Sequence, residues 1–186
     1  MDPADQTDIQ LSLRGDGEAF GRLVQRYQDE IATQMWRFTR DPLVLEELVH
    51  DVFVEAYASL RSFRGEGPFL HWLRKLATRV GYRYWKRQKR QDEHRVVLQD
   101  WDAVVDGRAD GMERQQAAET LEFLMGQLSP ADRLVLTLLH LEELPVAEVA
   151  RRSGWSQVGV KVRAHRARKK LKALLEKMQS RSGEPK

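Results

Sequence analysis

Between Val158 and Lys172 the sequence holds no acidic residue, while Lys161, His165, Arg168 and Lys172 fall on one helical face and Arg163, Arg166, Lys169 and Lys170 lie beside it. Cations arrayed on a helix grip phosphate oxygens, and the first turns of such a helix reach base edges when it lies in the DNA major groove. Most charge runs are solvated faces. This one follows a short helical segment and the turn Ser153-Gly154-Trp155, the pattern of a helix-turn-helix. Duplex contact is therefore the stronger reading, and it predicts an affinity that falls steeply with salt as counterions are released.

A second acid-free stretch, Phe69 to Lys89, interleaves Arg74, Lys75, Arg79, Arg83, Lys86, Arg87 and Lys89 with Trp72, Tyr82, Tyr84 and Trp85. Cations that track a backbone, set among rings on which unpaired bases stack, suit a single-stranded nucleic acid. Trp72 taken alone reads equally well as a core residue; the cluster as a whole argues for the strand. The preceding helix is opposite in sign. Asp41, Glu46, Glu47, Asp51 and Glu55 stand with no Lys or Arg before Leu60, and Glu47, Asp51 and Glu55 share a face at four-residue steps, where they repel one another. Such a face is either plainly solvated or covered by a basic partner.

Other chemistry finds little support. Glu47-Leu48-Val49-His50 has the spacing of a di-iron ligand pair, but such a bundle needs a second pair and two further glutamates, and no second copy is present. The five histidines are dispersed, there is no cysteine, and no glycine-rich phosphate loop occurs. No cofactor, no metal and no enzymatic activity is expected, and redox or zinc sensing would have to reside on a partner.

These groups need helices to position them. Phe20, Leu23, Val24, Tyr27, Ile31, Met35 and Phe38 recur at helical spacing after the turn Arg14-Gly15-Asp16-Gly17 and predict a helix from about Glu18 to Arg40. Asp41-Pro42 caps and starts the acidic helix, whose buried stripe is Leu45, Val49, Val52, Ala56 and Leu60. Arg64-Gly65-Glu66-Gly67-Pro68 ends that unit, and the basic-aromatic helix follows. From Asp92 to Glu113 the pattern dissolves among acids and glycines, which reads as a linker. Helical spacing resumes at Leu121, Leu124, Met125 and Leu128. Ser129-Pro130 then starts another helix, a short one is expected from about Pro145 to Arg152, and Ser156 caps a last one to about Met178. No strand-period segment occurs, so the expected fold is all-α: two small helical domains joined by an acidic flexible linker. The boundaries are an N-terminal segment 1–17, a first domain 18–91, a linker 92–118, a second domain 119–178 and a disordered tail 179–186.

With 186 residues, 41% of them apolar and 32% charged, the chain holds enough apolar side chains for two compact cores under a charged surface. The net charge of only +3 hides the sorting of charge into blocks of opposite sign. Met1-Asp2-Pro3-Ala4-Asp5 has neither the basic start nor the apolar run of a signal peptide, and no stretch approaches the length of a membrane span. A cytoplasmic location without membrane insertion is expected.

In order and spacing, these features resemble an extracytoplasmic-function (ECF) sigma factor of bacterial RNA polymerase, from about Glu18 to Leu175 apart from the linker. Glu18-Ala19-Phe20 through Tyr27 resembles the start of sigma region 2. Glu47-Leu48-Val49-His50-Asp51-Val52-Phe53 is similar to the acidic stretch that docks on the β′ coiled coil of core polymerase, with His50 where Gln is usual. Phe63-Arg64-Gly65-Glu66-Gly67-Pro68-Phe69 with Trp72-Leu73 resembles the loop and helix that capture a flipped base and melt the −10 element. Leu128-Ser129-Pro130, Glu148-Val149-Ala150, and Val158-Gly159-Val160-Lys161-Val162-Arg163 with His165-Arg166-Ala167-Arg168 resemble region 4 and its −35 recognition helix. Arg79 stands where the family has Asn, Arg83 where it often has Asp, Gly159 where it has Thr and Val162 where it has Ser, so no promoter sequence is carried over.

The resemblance implies an alternative sigma factor that binds core polymerase and directs initiation through the −10 and −35 elements. The expected core-polymerase contacts are Glu47, His50, Asp51, Phe53 and Glu55. The expected −10 contacts are Phe63, Arg64, Phe69, Trp72, Arg74, Lys75, Arg79, Tyr82 and Arg83, and the expected −35 contacts are Ser156, Gln157, Lys161, Arg163, Arg166 and Arg168. The implied partners are core RNA polymerase, through its β′ coiled coil and β flap, promoter DNA both duplex and melted, and an anti-sigma factor covering both domains. The rival reading, a stand-alone helix-turn-helix regulator, explains the C-terminal half only.

Overall fold

In the computed structural model the described residues are 2–94 and 110–182, and they contain helices and no strand. The elements are α1 (Pro3–Leu13), α2 (Gly17–Met35), α3 (Pro42–Ser59) with a 3₁₀ turn at Leu60–Ser62, α4 (Phe69–His94), α5 (Asp110–Gln127), α6 (Pro130–Leu136) continued by a π turn at Thr137–Leu141, α7 (Val146–Ser153) and α8 (Gln157–Ser182). They divide into two compact units, one centred on α1 to α4 and the other on α6 to α8.

In the first unit the caps set the helix starts. The Asp2 side chain accepts from the Ala4 N–H at 2.8 Å, Asp16 accepts from Glu18 and Ala19 at 2.9 and 3.1 Å, and Asp41 accepts from Leu43 at 2.9 Å. Between α1 and α2, Gly15 takes φ +98°, a left-handed turn that other residues rarely adopt. Leu23, Ile31 and Met35 of α2, Leu48 and Val52 of α3, and Phe69 and Leu73 of α4 form the buried centre.

The sequence placed no element before Glu18, yet α1 forms and packs along α2. Its inward face carries Ile9 together with Asp5, Asp8 and Ser12, all buried. The carboxylates are matched by α2. Arg26 donates to Asp5 at 2.5 Å and to Asp8 at 2.9 Å, Arg22 donates to Asp8 at 2.8 Å, and the Tyr27 hydroxyl donates to Asp5 at 2.5 Å. Burial pushes the Asp8 carboxyl up, but the hydrogen bonds from Arg26 and Arg22 outweigh it and hold the group below its usual range. Burial and the Asp5 acceptor both raise the Tyr27 phenol, which therefore stays a donor.

α2 ends at Met35 rather than near Arg40. The N–H groups of Arg37 and Phe38 bond only three residues back, to Gln34 and Met35 at 3.1 and 2.8 Å, which tightens the chain and drives Phe38 inward off the helix. Phe38 packs against Trp85 with ring centroids 4.5 Å apart, and its carbonyl accepts the Trp85 indole N–H at 2.9 Å. Gly81 of α4 makes room for this, since a Cβ there would lie 2.4 Å from the Phe38 ring. A second tie joins α2 to α4. The buried Gln34 amide donates to the Arg74 carbonyl and to the Thr78 hydroxyl, each at 3.1 Å.

In the second unit, Ser129 caps α6 by accepting from Asp132 at 3.2 Å, and Ser156 caps α8 by accepting from Gly159 at 3.0 Å. Gly154, at φ +78°, makes the turn between α7 and α8. Leu134, Val135, Leu138 and Val149 are buried together with Val160, Ala164 and Ala167, the inward stripe of α8, along which α6 packs. α4 continues to His94 and α5 begins at Asp110; the intervening residues lie outside those described. Of the expected tail, Gln179 to Ser182 belong to α8, and 183–186 lie outside the described residues.

Candidate nucleic-acid interface

The first candidate surface is built where the 3₁₀ turn hands over to α4. Leu60, buried, pins the turn, and Gly65 at φ +72° bends the loop that follows. Phe63 enters this loop half-buried and meets two rings of α4, Phe69 at 5.4 Å and Trp72 at 5.5 Å. Phe69 and Trp72 are themselves 5.4 Å apart, and Tyr27 of α2 lies behind Phe69 at 5.8 Å. Phe69 is fully buried. It is the floor of the cluster and cannot itself stack on a base, which corrects its expected role; Phe63 and Trp72 are the half-exposed rings.

From Trp72, Lys75 and Arg79 follow at three- and four-residue steps, so ring and cations share one face of α4, continued by Tyr82 and Arg83. Arg79 is exposed, while Arg74, Lys75 and Tyr82 are half-buried. Arg64 is exposed in the loop, 3.9 Å from Glu66, a separation at which an exposed pair contributes little. Arg83 is engaged within the protein, its guanidinium paired with the Glu55 carboxylate of α3. Two residues expected to meet different partners thus meet each other. Trp85, part of the same sequence cluster, is buried against Phe38.

On α3, Glu47 and His50 are exposed and Asp51 is half-buried, so the acidic face is accessible there. Phe53 is buried and lines, with Phe20, Val24, Val49, Val54 and Tyr57, an apolar groove of about 780 Å³ between α2 and α3. Phe53 thus stands in the wall of the groove rather than on the exposed acidic face. Reading α3 as an acidic face missed the groove. The available signal was that Leu43, Val54 and Tyr57 add apolar residues outside the stripe that one core can use, and all three are exposed.

The second surface is α8. Gln157, Val158, Lys161, Val162, His165, Arg166, Arg168 and Lys169 are exposed, and Val158 and Val162 bring apolar tips to this basic face. Arg163 departs from expectation: its guanidinium lies over the Trp155 ring at 4.6 Å and 4.0 Å from Asp132, and its Nε is buried without an acceptor among the described residues. Asp132, buried, also takes Lys170 at 2.6 Å. Arg168 lies 3.5 Å from the His140 ring. Ser156 spends its hydroxyl on the helix cap. Among the described residues no group of His, Cys, Asp and Glu forms a metal cluster, and no helix is long and apolar enough to cross a membrane.

Comparison with known proteins places both surfaces in matched segments. The Sigma-70 region 2 family matches residues 23–91, and the Sigma-70 region 4 family matches residues 118–171. An ECF RNA polymerase sigma-E factor of Escherichia coli strain K12 is 30% identical over 166 residues, spanning 78% of this chain and 81% of the relative. A protein of the same name from Haemophilus influenzae is 29% identical over 177 residues, spanning 90% and 93%. Among solved structures, CnrH in complex with the cytosolic domain of CnrY matches with a TM-score of 0.56 at 25% identity, covering 93% of this chain and 97% of that one. The sigma factor RpoE from Bartonella quintana, solved with the anti-sigma factor NepR, shares the fold with a TM-score of 0.55 at 20% identity over 84% and 96%.

Proposed function

Because the chain belongs to the extracytoplasmic-function family of RNA polymerase sigma factors, an alternative sigma factor that directs transcription initiation, we propose how its two surfaces divide that work. Glu47, His50 and Asp51, with the apolar groove beside them, hold core polymerase. Phe63, Trp72, Lys75 and Arg79 take the melted −10 strand. Gln157, Lys161, Arg166 and Arg168 grip the −35 duplex. A sigma factor makes no bonds itself; bond formation belongs to the polymerase.

The observation that carries this reading is the pair of half-exposed rings, Phe63 and Trp72, standing on a buried ring and continued along α4 by Lys75 and Arg79. Opening base pairs costs a few kcal/mol per step, and stacking contributes about 1–3 kcal/mol per captured base, so two accessible rings offset much of that cost. The stand-alone regulator has no use for these rings or for the acidic helix. An anti-sigma factor is a further partner within the same reading, as NepR is for the solved RpoE.

The reading is tested by transcription with purified core polymerase over a pool of random promoters, with and without the protein. Starts that depend on the protein support it and yield both promoter elements. If no start depends on it while the free protein shifts duplex DNA by itself, the stand-alone regulator replaces it.

Within the second unit, Arg166 is exposed where Arg163 is stacked. Arg166→Ala should weaken −35 duplex binding and reduce the magnitude of the log–log salt slope by about 1, measured by titration at several salt concentrations. An unchanged slope removes Arg166 from the phosphates.

A further inference from the structure

We propose that Asp5 of α1 is a positioning residue for strand capture, setting through Tyr27 and Phe69 the place of the Phe63–Trp72 ring pair. The proposal rests on the assignment of those rings to the melted −10 strand.

Two routes lead from α1 to the rings. Asp5, buried, accepts the Tyr27 hydroxyl and the Arg26 guanidinium, each at 2.5 Å, which fixes the phenol ring from its far end. That ring backs Phe69 at 5.8 Å, and Phe69 touches both Phe63 and Trp72 at 5.4 Å. By the second route, α1 also packs against the Leu60–Ser62 turn that delivers the chain to Phe63. Asp8 completes the hold by taking Arg22 and the other arm of Arg26, so α1 has two carboxylate anchors along α2. A ring pair that must accept a flat base gains from a floor that does not yield, because a buried polar link with matched donors allows one geometry.

The sign of the effect separates this role from simple electrostatics. Asp5→Asn removes a negative charge and loosens Arg26, so the general pull on DNA rises. Loss of ring positioning acts the other way. Tyr27→Phe keeps the ring and removes only its hydroxyl, a change mild enough to leave the fold intact.

The experiment uses the holoenzyme and a fork-junction DNA whose −10 non-template strand is unpaired, its sequence taken from the promoter selection. Asp5→Asn and Tyr27→Phe should each lower fork-junction affinity about tenfold, and the double variant should lose little more than either, since both cut the same link. Affinities for core polymerase and for fully duplex −35 DNA should stay within about twofold of the parent. Unchanged or tighter fork binding overturns the proposal. So does a parallel loss of fork, core and −35 binding, which would mark the clamp as merely structural. If the parent holoenzyme itself shows no preference for the unpaired strand, the assignment of the rings fails and the proposal fails with it.

Discussion

Glu47→Lys combined with Asp51→Lys is expected to abolish binding to core polymerase, with a loss on the order of a thousandfold, because placing like charges against a basic partner costs several kcal/mol. The fold should survive. Glu47 is exposed, Asp51 is half-buried, and they sit four residues apart on α3, so a Glu–Asp repulsion is exchanged for a Lys–Lys repulsion of similar size. Circular dichroism of the double variant should match that of the parent, and core affinity measured by fluorescence anisotropy should collapse. Glu55 is left out of the test for a structural reason. Its carboxylate pairs with Arg83 of α4, so reversing it would disturb the −10 surface as well as the docking face. Unchanged core affinity in the double variant would remove the acidic face from the interface.

Gly81→Ala is expected to destabilise the first unit by about 3 kcal/mol, near the upper end for an overpacked core. In an ordinary helix interior the same change stabilises by up to about 1 kcal/mol, so the sign of the effect is diagnostic. At Gly81 the new methyl would lie 2.4 Å from the Phe38 ring. That ring is buried against Gly81 and Trp85 of α4, and moving it breaks both the ring contact at 4.5 Å and the indole bond to the Phe38 carbonyl. Thermal unfolding should show a fall on the order of 10 °C or more. Gly21→Ala on α2 serves as the control, because no atom lies within 4 Å of its new methyl, and it should leave the midpoint level or raise it.

Much of the scaffold was legible in the sequence because its signals are local. Asp41-Pro42, Ser129-Pro130 and Ser156 start helices by bonding to amides two or three residues ahead, and all three caps form. The end of α2 was not legible, because Phe38 continues the helical period of Ile31 and Met35 while sitting in a turn. Nor was α1. Its packing face is half carboxylate, and only the partners Arg22, Arg26 and Tyr27, many residues away, explain why Asp5 and Asp8 are buried. A search for apolar spacing finds little there besides Ile9.

The site shows the same division. The acid-free runs on α4 and α8 mark the faces that we propose meet nucleic acid, since sequence composition fixes the sign of a surface. Which individual residues remain available was set by tertiary packing. Phe69 became a floor, Arg83 was taken by Glu55, and Arg163 stacked on Trp155. The groove between α2 and α3 likewise exists only once the two helices lie side by side.

Asp132 holds Lys170 at 2.6 Å and lies 4.0 Å from Arg163, so one buried carboxylate offsets part of the positive charge that sequence alone would assign to DNA. Indiscriminate attraction depends on the charges a surface can still offer, whereas discrimination depends on side chains that reach base edges. An internal counterion therefore subtracts from the first without touching the second. The C-terminal unit should dwell more briefly on random DNA than its count of lysines and arginines suggests, which shortens each wrong encounter in a search along the chromosome.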